Sequence, residues 1–220
     1  MATDPEVPPP SGTGRLYPVG LRLAGRSVLV VGGGTVAAQK VRELVGCDAR
    51  VTVVAPDIVD ELRDDPRVTC EVRPYRDGEA AAHWFVVAAT DDPAVNQAVY
   101  DDGEASGTWV NAADDPQRCS VTLPARVRRG SVLVTVSTEG RSPALATWLR
   151  SRLEDQVGPE VEVLLHVLAE ERDRIRAAGG STEGLDWQGA LQSGMLDEIR
   201  VGRIDAAKEL LKACLSSSSA

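Results

Sequence analysis

The sequence predicts an α/β fold, in which a parallel sheet covered by helices is followed by a small β segment and a helical C-terminal module. Three observations carry this prediction. Apolar runs typical of strands alternate with helical patterns from residue 27 to about residue 111, as in parallel sheets with helical crossovers. Two β-type runs then follow without a helix between them. From Ser142 onward, apolar residues recur at helical spacing.

The elements of the first part are predicted in a simple order. A strand at 28–31 leads into a helix at about 35–46 and a second strand at 50–54. The remaining elements of this part are strands at 68–72, 84–89 and 108–111 and a helix at about 93–105. Because ligands of parallel sheets bind at the carboxyl ends of the strands, we expect a site in the segments that follow them.

The second part begins with two β-type runs, Cys119–Leu123 and Ser131–Ser137, joined through Pro124 and Gly130. These runs either extend the sheet or form a separate strand pair that meets its copy in a dimer. Ser142 followed by Pro143 is typical of a helix cap with a first-turn proline. Residues 1–14 are rich in proline and glycine, and we predict that they are disordered.

Composition limits the classes of function. The net charge of -9 argues against nucleic-acid or anionic membrane partners. The four cysteines form no Cys-x-x-Cys pair, and His83 and His166 stand alone, so we predict reduced thiols and no metal site. No signal-peptide pattern and no apolar run long enough to span a bilayer is present, which predicts a cytoplasmic protein.

The segment after the first strand is the strongest motif. Its Gly-x-Gly-x-x-Ala spacing, from Gly32 through Gly34 to Ala37, follows an apolar strand and opens a helix. This context is typical of the pyrophosphate-binding turn of a Rossmann-like fold, in which Thr35 and Val36 offer helix-start N–H groups to the anion. The alternative is a tight glycine turn that holds no ligand.

Residues after the second and fourth strands indicate which cofactor is bound. Pro56 and Asp57 follow the second strand, where an acidic side chain favours the ribose hydroxyls of NAD, and no basic residue lies between Pro56 and Arg63. NAD is therefore the predicted cofactor, although Asp57 is equally well placed to cap the next helix. Thr90 follows the fourth strand and offers a hydroxyl to the cofactor, or caps the helix that begins near Pro93.

Charge is distributed unevenly along the chain. Residues 111–152 hold seven arginines against three acidic residues, a local excess of +4 in an acidic protein. Such a basic segment attracts a polyanionic small molecule. The alternative is an arginine-rich surface that faces solvent or a neighbouring subunit.

Five motifs in order resemble those of one family. They are Tyr17-Pro18-Val19, the turn Gly32–Ala37, Ala89-Thr90-Asp91-Asp92, Asn111–Pro116, and Ser137–Pro143. Over residues 15–155 the sequence is similar to the siroheme synthase N-terminal family, which comprises precorrin-2 dehydrogenases, some of which also insert iron into sirohydrochlorin. The resemblance implies NAD-dependent oxidation of precorrin-2 to sirohydrochlorin, Fe²⁺ as a possible second substrate, and a homodimer.

The resemblance also implies roles for individual residues. Asp114 matches the acidic residue at the family's active centre, although an Asp-Asp-Pro run is also typical of a turn. The residues implied to bind the tetrapyrrole carboxylates are Asn111, Arg118, Ser137, Thr138 and Arg141. The predicted domains are an NAD-binding domain at 15–118, a dimerisation and substrate segment at 119–150, and a helical module at 151–220. The competing functions are a dinucleotide-sensing module and a metal chelatase with a vestigial NAD site.

Overall fold

A computed structural model describes residues 15–217 of the chain. The predicted disordered tail at 1–14 lies outside the described residues. The chain divides into two compact units, Met1–Leu123 and Pro124–Ala220. Residues 119–123 lie in the first unit, and the second unit contains the small β segment together with the C-terminal helices.

The first unit is built on a five-stranded parallel sheet, which confirms the predicted fold class. Its strands are β1 (Ser27–Val31), β2 (Arg50–Ala55), β3 (Val68–Val72), β4 (Phe85–Ala88) and β5 (Trp109–Ala112), in the spatial order β3-β2-β1-β4-β5. The strand order reverses between β1 and β4. In open parallel sheets, ligands bind at such a switch point, beyond the carboxyl ends of the strands.

Helices cover both faces of this sheet. They are α1 (Thr35–Val45), α2 (Asp60–Arg63) and α3 (Pro93–Ser106). Val28 and Val30 of β1 pack with α1 on one face, whereas Leu29 and Val31 pack with α3 on the other. Because successive side chains of a strand point to opposite faces, a sheet covered on both sides needs a continuous apolar run, as β1 has.

Gly103 allows α3 to approach the sheet closely. A Cβ at this position would overlap Cγ2 of Val110 in β5 and come within 3.1 Å of the carbonyl oxygen of Thr108. We expect Gly103→Ala to lower the free energy of unfolding by about 1–3 kcal/mol, because overpacking outweighs the gain in helix propensity. Chemical denaturation measures this change.

The partner of that contact provides a control. Val110→Ala removes the methyl group that the new Cβ would meet. The double variant Gly103→Ala/Val110→Ala should therefore be less destabilised than the sum of the two single variants. A strictly additive double variant would contradict the packing explanation.

The second unit begins with a β-hairpin of β6 (Ala125–Arg129) and β7 (Val132–Val136), which form their own antiparallel sheet. The predicted strand at Cys119–Leu123 is therefore wrong, because the strand that pairs with β7 lies after Pro124. Gly130, at φ +54°, and Ser131 form the two-residue turn that joins the strands. A glycine at the first turn position matches the twist of a tight hairpin.

The remaining elements of the second unit are helices. They are α4 (Pro143–Gln156), α5 (Glu160–Ala177), α6 (Trp187–Gln192), α7 (Met195–Arg200) and α8 (Ile204–Ser217). Ser142 caps α4, since its Oγ accepts a hydrogen bond from the Leu145 amide at 3.1 Å, as predicted. Buried side chains such as Leu164, Met195 and Leu211 form the core between α5, α7 and α8. Within residues 15–217, no helix is long and apolar enough to cross a membrane.

Candidate functional site

The turn after β1 is shaped by close backbone contacts. Gly32 is buried at φ +124°, a conformation that side chains rarely adopt, and its amide donates to the carbonyl of Val54 at 2.9 Å. A Cβ at Gly32 would overlap the carbonyl oxygen of Ala89 at the end of β4. Gly32 therefore allows the ends of β1 and β4 to meet at the switch point of the sheet.

Gly33 makes a second close approach, which the sequence spacing did not single out. A Cβ here would overlap the carbonyl oxygen of Asp57 and lie 2.8 Å from Cα of Ile58. The Gly33 carbonyl also accepts a hydrogen bond from the Val59 amide at 2.9 Å. The middle glycine thus ties the segment after β2 to the turn.

Gly34 faces open space instead. No atom of the described residues lies within 4 Å of a Cβ built on it, and it precedes α1 without any side-chain cap. Gly34, Thr35 and Val36 are all exposed. Uncapped N–H groups and the positive end of the helix dipole are the features that bind phosphate groups at helix starts.

Pro56 and Asp57 lie directly beyond β2, at the same edge of the sheet. The Asp57 carboxylate is 97% exposed and accepts a hydrogen bond from Nη2 of Arg63 at 3.2 Å. The alternative role of Asp57 as a helix cap is wrong, because α2 begins after Val59 and has no side-chain cap. An exposed carboxylate at this strand end can accept hydrogen bonds from ribose hydroxyls.

Thr90 follows β4 and is held by α3. Its hydroxyl lies 2.9 Å from Oδ1 of Asn96, and Nδ2 of Asn96 donates to the Thr90 carbonyl at 3.0 Å. The cap of α3 is Asp92, whose carboxylate accepts from the amides of Ala94 and Val95, so the alternative role of Thr90 as the cap is wrong. Sequence reasoning missed the buried Asn96, since only its contact with the strand end distinguishes it from other polar helix residues.

Asn111 lies within β5 and is almost fully buried. Its side-chain amide donates to the carbonyl of Val121 at 3.0 Å and lies 3.5 Å from Sγ of Cys119. These contacts hold Cys119 and Val121, which follow the turn after β5, against that strand. Burial also raises the pKa of the Cys119 thiol, which donates to the carbonyls of Ala112 and Asp115.

Asp114 and Arg118 follow β5 and differ in their side-chain contacts. Asp114 is exposed at φ +60°, and its carboxylate has no partner among residues 15–217. Arg118 pairs with Asp115 through Nη1 and donates from Nε to Oε1 of Gln97 at 2.7 Å. Asp114 is thus the carboxylate available to a ligand, whereas Arg118 fixes the turn to α3.

The loop between β7 and α4 carries the other three predicted residues. The Thr138 hydroxyl donates to the Ser142 carbonyl at 3.1 Å, and Oγ of Ser137 accepts from the Glu139 amide at 3.1 Å. The Thr138 proton is therefore used within the loop, whereas that of Ser137 is available. Arg141 is exposed, and no contact with its guanidinium is found among the described residues.

Several arginines of the basic segment already have side-chain partners. Arg129 and Arg150 both reach Glu154, at 3.8 and 3.0 Å, and the Arg152 guanidinium lies 5.1 Å from the ring centroid of Trp148. Arg128, like Arg141, is exposed without a side-chain partner in the part of the chain described. No group of three metal-ligating side chains occurs in residues 15–217.

The parallel sheet and its glycine turn define a Rossmann-like dinucleotide-binding protein. Residues 19–125 match a family model described as putative NAD(P)-binding. The chain is 37% identical to a siroheme synthase of Nitrosococcus oceani over 90% of its length and 34% identical to one of Nitrosomonas europaea over 92%. It belongs to the siroheme synthase N-terminal family, as the five motifs predicted.

The matches differ in how much of each relative they cover. The chain spans 43% and 44% of the two siroheme synthases, less than half of each. A solved structure of SirC, precorrin-2 dehydrogenase, matches with a TM-score of 0.72 and 27% identity, over 90% of this chain and 100% of that one. The fold of both units thus has a counterpart in a protein of similar extent.

Proposed function

We propose that this chain catalyses the NAD-dependent oxidation of precorrin-2 to sirohydrochlorin in siroheme biosynthesis. The observation that carries the proposal is the likeness over the full length of SirC, precorrin-2 dehydrogenase. The glycine turn, with its open position at Gly34, supports it independently. The exposed Asp114 and Arg141 within the family motifs favour an enzyme over a dinucleotide-sensing module, because a module that only binds NAD needs neither side chain.

The turn after β1 fits a dinucleotide. Gly34 leaves room for a pyrophosphate beside the uncapped start of α1, and Asp57 provides an acceptor at the end of β2. When bound, NAD⁺ supplies a hydride acceptor. Thr90, held by Asn96, lines the same edge of the sheet and keeps the end of β4 in a fixed conformation.

Two side chains carry the substrate chemistry in this proposal. Oxidation of the tetrapyrrole releases a proton together with the hydride, and the Asp114 carboxylate accepts that proton. Arg141 binds a carboxylate of the substrate, because its guanidinium is exposed and has no competing acid among the described residues. Ser137 adds a hydroxyl donor in the same loop. Arg118 has a positioning role in this proposal, because its contacts with Asp115 and Gln97 fix the turn after β5 to α3.

The proposal includes a homodimer formed through the second unit. A two-stranded sheet has two open edges, which favour pairing with another strand. Leu133 of β7 and Trp148 of α4 are 45% and 54% exposed, and exposed apolar side chains on neighbouring elements are typical of subunit interfaces. The cytoplasmic location and Fe²⁺ as a second substrate remain predictions.

The activity can be tested with the purified chain, precorrin-2 and NAD⁺, by following the formation of NADH. We expect Arg141→Gln to raise KM for precorrin-2 about tenfold with little change in kcat, because a charge-assisted contact to bound substrate is lost. Arg128→Gln is the matched control, since it removes an equally exposed and unpaired guanidinium outside the motif. Absence of NADH with the unmodified chain would reject the proposed function.

A further inference from the structure

The end of β2, where the ribose of the nucleotide is expected, has a basic residue beside it. In the sequence this residue lies too far from Asp57 to be expected there. Arg63 lies six positions beyond Asp57, yet its Nη2 is 3.2 Å from Oδ1 of Asp57, and its Nη1 is 3.8 Å from Oδ1 of Asp60. The short helix α2 ends at Arg63 and brings its side chain back to the end of β2. One basic and two acidic groups therefore lie together where one acidic group was expected.

The segment that holds this pair is well anchored. Ile58 and Leu62 are each 2% exposed and belong to the core beside α1. The Val59 amide donates to the Gly33 carbonyl, which links α2 to the glycine turn. The backbone positions of Asp57 and Arg63 relative to the turn are thus fixed by buried contacts, while both charged groups remain at the surface.

The pair itself is weak and open to competition. Both groups are exposed, at 97% for the Asp57 side chain and 44% for that of Arg63, and exposed ion pairs contribute only about 0–1 kcal/mol. A phosphate monoester carries nearly two negative charges and can accept two parallel bonds from one guanidinium. A ribose 2′-phosphate would therefore compete successfully with both Asp57 and Asp60 for Arg63, since the Asp60 side chain is also exposed.

We infer that Arg63 determines nucleotide specificity and allows this site to bind NADP⁺ as well as NAD⁺. Asp57 accepts the ribose hydroxyls of NAD⁺, and Arg63 turns from Asp57 to the 2′-phosphate of NADP⁺. Because Arg63 offsets part of the repulsion from Asp57 and Asp60, the two nucleotides differ less in affinity than they would beside the acidic residues alone. This inference rests on the proposed function, whose nucleotide site it refines.

Calorimetry with the full chain tests this directly, using NAD⁺ and NADP⁺ as titrants. The unmodified chain should bind both, with dissociation constants within about tenfold of each other. Arg63→Gln should weaken NADP⁺ binding by about tenfold or more, the loss of one charge-assisted contact, and change NAD⁺ binding by about twofold at most. Asp57→Asn should shift the preference in the opposite direction, towards NADP⁺.

Arg67→Gln is the matched control. Arg67 is also an exposed arginine paired with an aspartate, at 2.7 Å from Asp65, but it lies before β3, at the amino edge of the sheet. Its loss should leave both affinities unchanged. Binding of NAD⁺ without NADP⁺, or an NADP⁺ affinity that Arg63→Gln does not alter, overturns the inference and leaves the proposed function intact. Binding of neither nucleotide overturns both.

Discussion

Gly32→Ala should destabilise the first unit by about 3 kcal/mol or more and abolish NAD⁺ binding. The added Cβ would overlap the Ala89 carbonyl, a backbone atom that cannot move without breaking the contact between β1 and β4. The backbone at φ +124° adds strain for any side chain. These two effects act on the same residue, so we expect a loss at the upper end of the usual range for point substitutions.

Gly34→Ala separates folding from binding at the same turn. A Cβ at Gly34 meets no atom within 4 Å, and the residue has φ -88°, which alanine adopts freely. The free energy of unfolding of the Gly34→Ala protein should therefore change by less than about 1 kcal/mol. The methyl group should, however, obstruct a phosphate at the start of α1 and weaken NAD⁺ binding.

Thermal unfolding by circular dichroism and titration with NAD⁺ measure these effects. The two glycine variants should differ clearly: Gly32→Ala loses stability and binding, and Gly34→Ala loses binding alone. A stable Gly32→Ala protein that binds NAD⁺ normally would contradict the geometry assigned to this turn. Unchanged NAD⁺ binding in Gly34→Ala would place the pyrophosphate elsewhere.

Asp114→Asn should lower kcat for precorrin-2 oxidation by about 10²–10⁴-fold while leaving the folded structure intact. The exposed carboxylate is the proposed proton acceptor, and general bases contribute rate factors of this size. Asparagine is the informative replacement because it keeps the shape of the side chain and tolerates the left-handed conformation at φ +60°. Alanine would add backbone strain to the loss of charge.

Asp48→Asn is a close control for this substitution. Asp48 is also an exposed aspartate in the left-handed region, at φ +58°, but it lies before β2, at the opposite edge of the sheet. The Asp48→Asn variant should retain full activity in precorrin-2 oxidation. If Asp114→Asn left both precorrin-2 oxidation and iron insertion into sirohydrochlorin unchanged, the assignment of Asp114 would be wrong. Loss of iron insertion alone would give Asp114 a role in chelation.

The elements that local sequence controls were predicted well. The strand from Ser27 to Val31, the turn and α1 agree with the predicted elements within one residue, because an apolar run, glycines and a helical pattern each act over a few residues. The cap by Ser142 and the first-turn Pro143 are equally local. The strand at Ala125–Arg129 was missed, since three of its five residues are arginines and only Val127 is buried.

The roles of individual polar residues depended on partners far along the chain. Asn111 was expected to face the substrate, but its amide is bonded to Val121, and Arg118 is bonded to Gln97, 21 positions away. Arg141 and Asp114 remain available because no partner reaches them among the described residues. Neither difference is visible in residue type or spacing, because long-range hydrogen bonds require the folded chain.

The sequence by itself determined the parallel sheet, the position of the glycine turn after β1 and the family, because each is encoded in short apolar and glycine patterns. Tertiary structure alone decided which polar and charged side chains meet. It brought Arg63 back to Asp57, placed Asn96 against Thr90 and paired Arg129 and Arg150 with Glu154. The physical reason is that an ion pair or hydrogen bond is set by distance in space, which the packing of helices on the sheet or hairpin fixes only after folding.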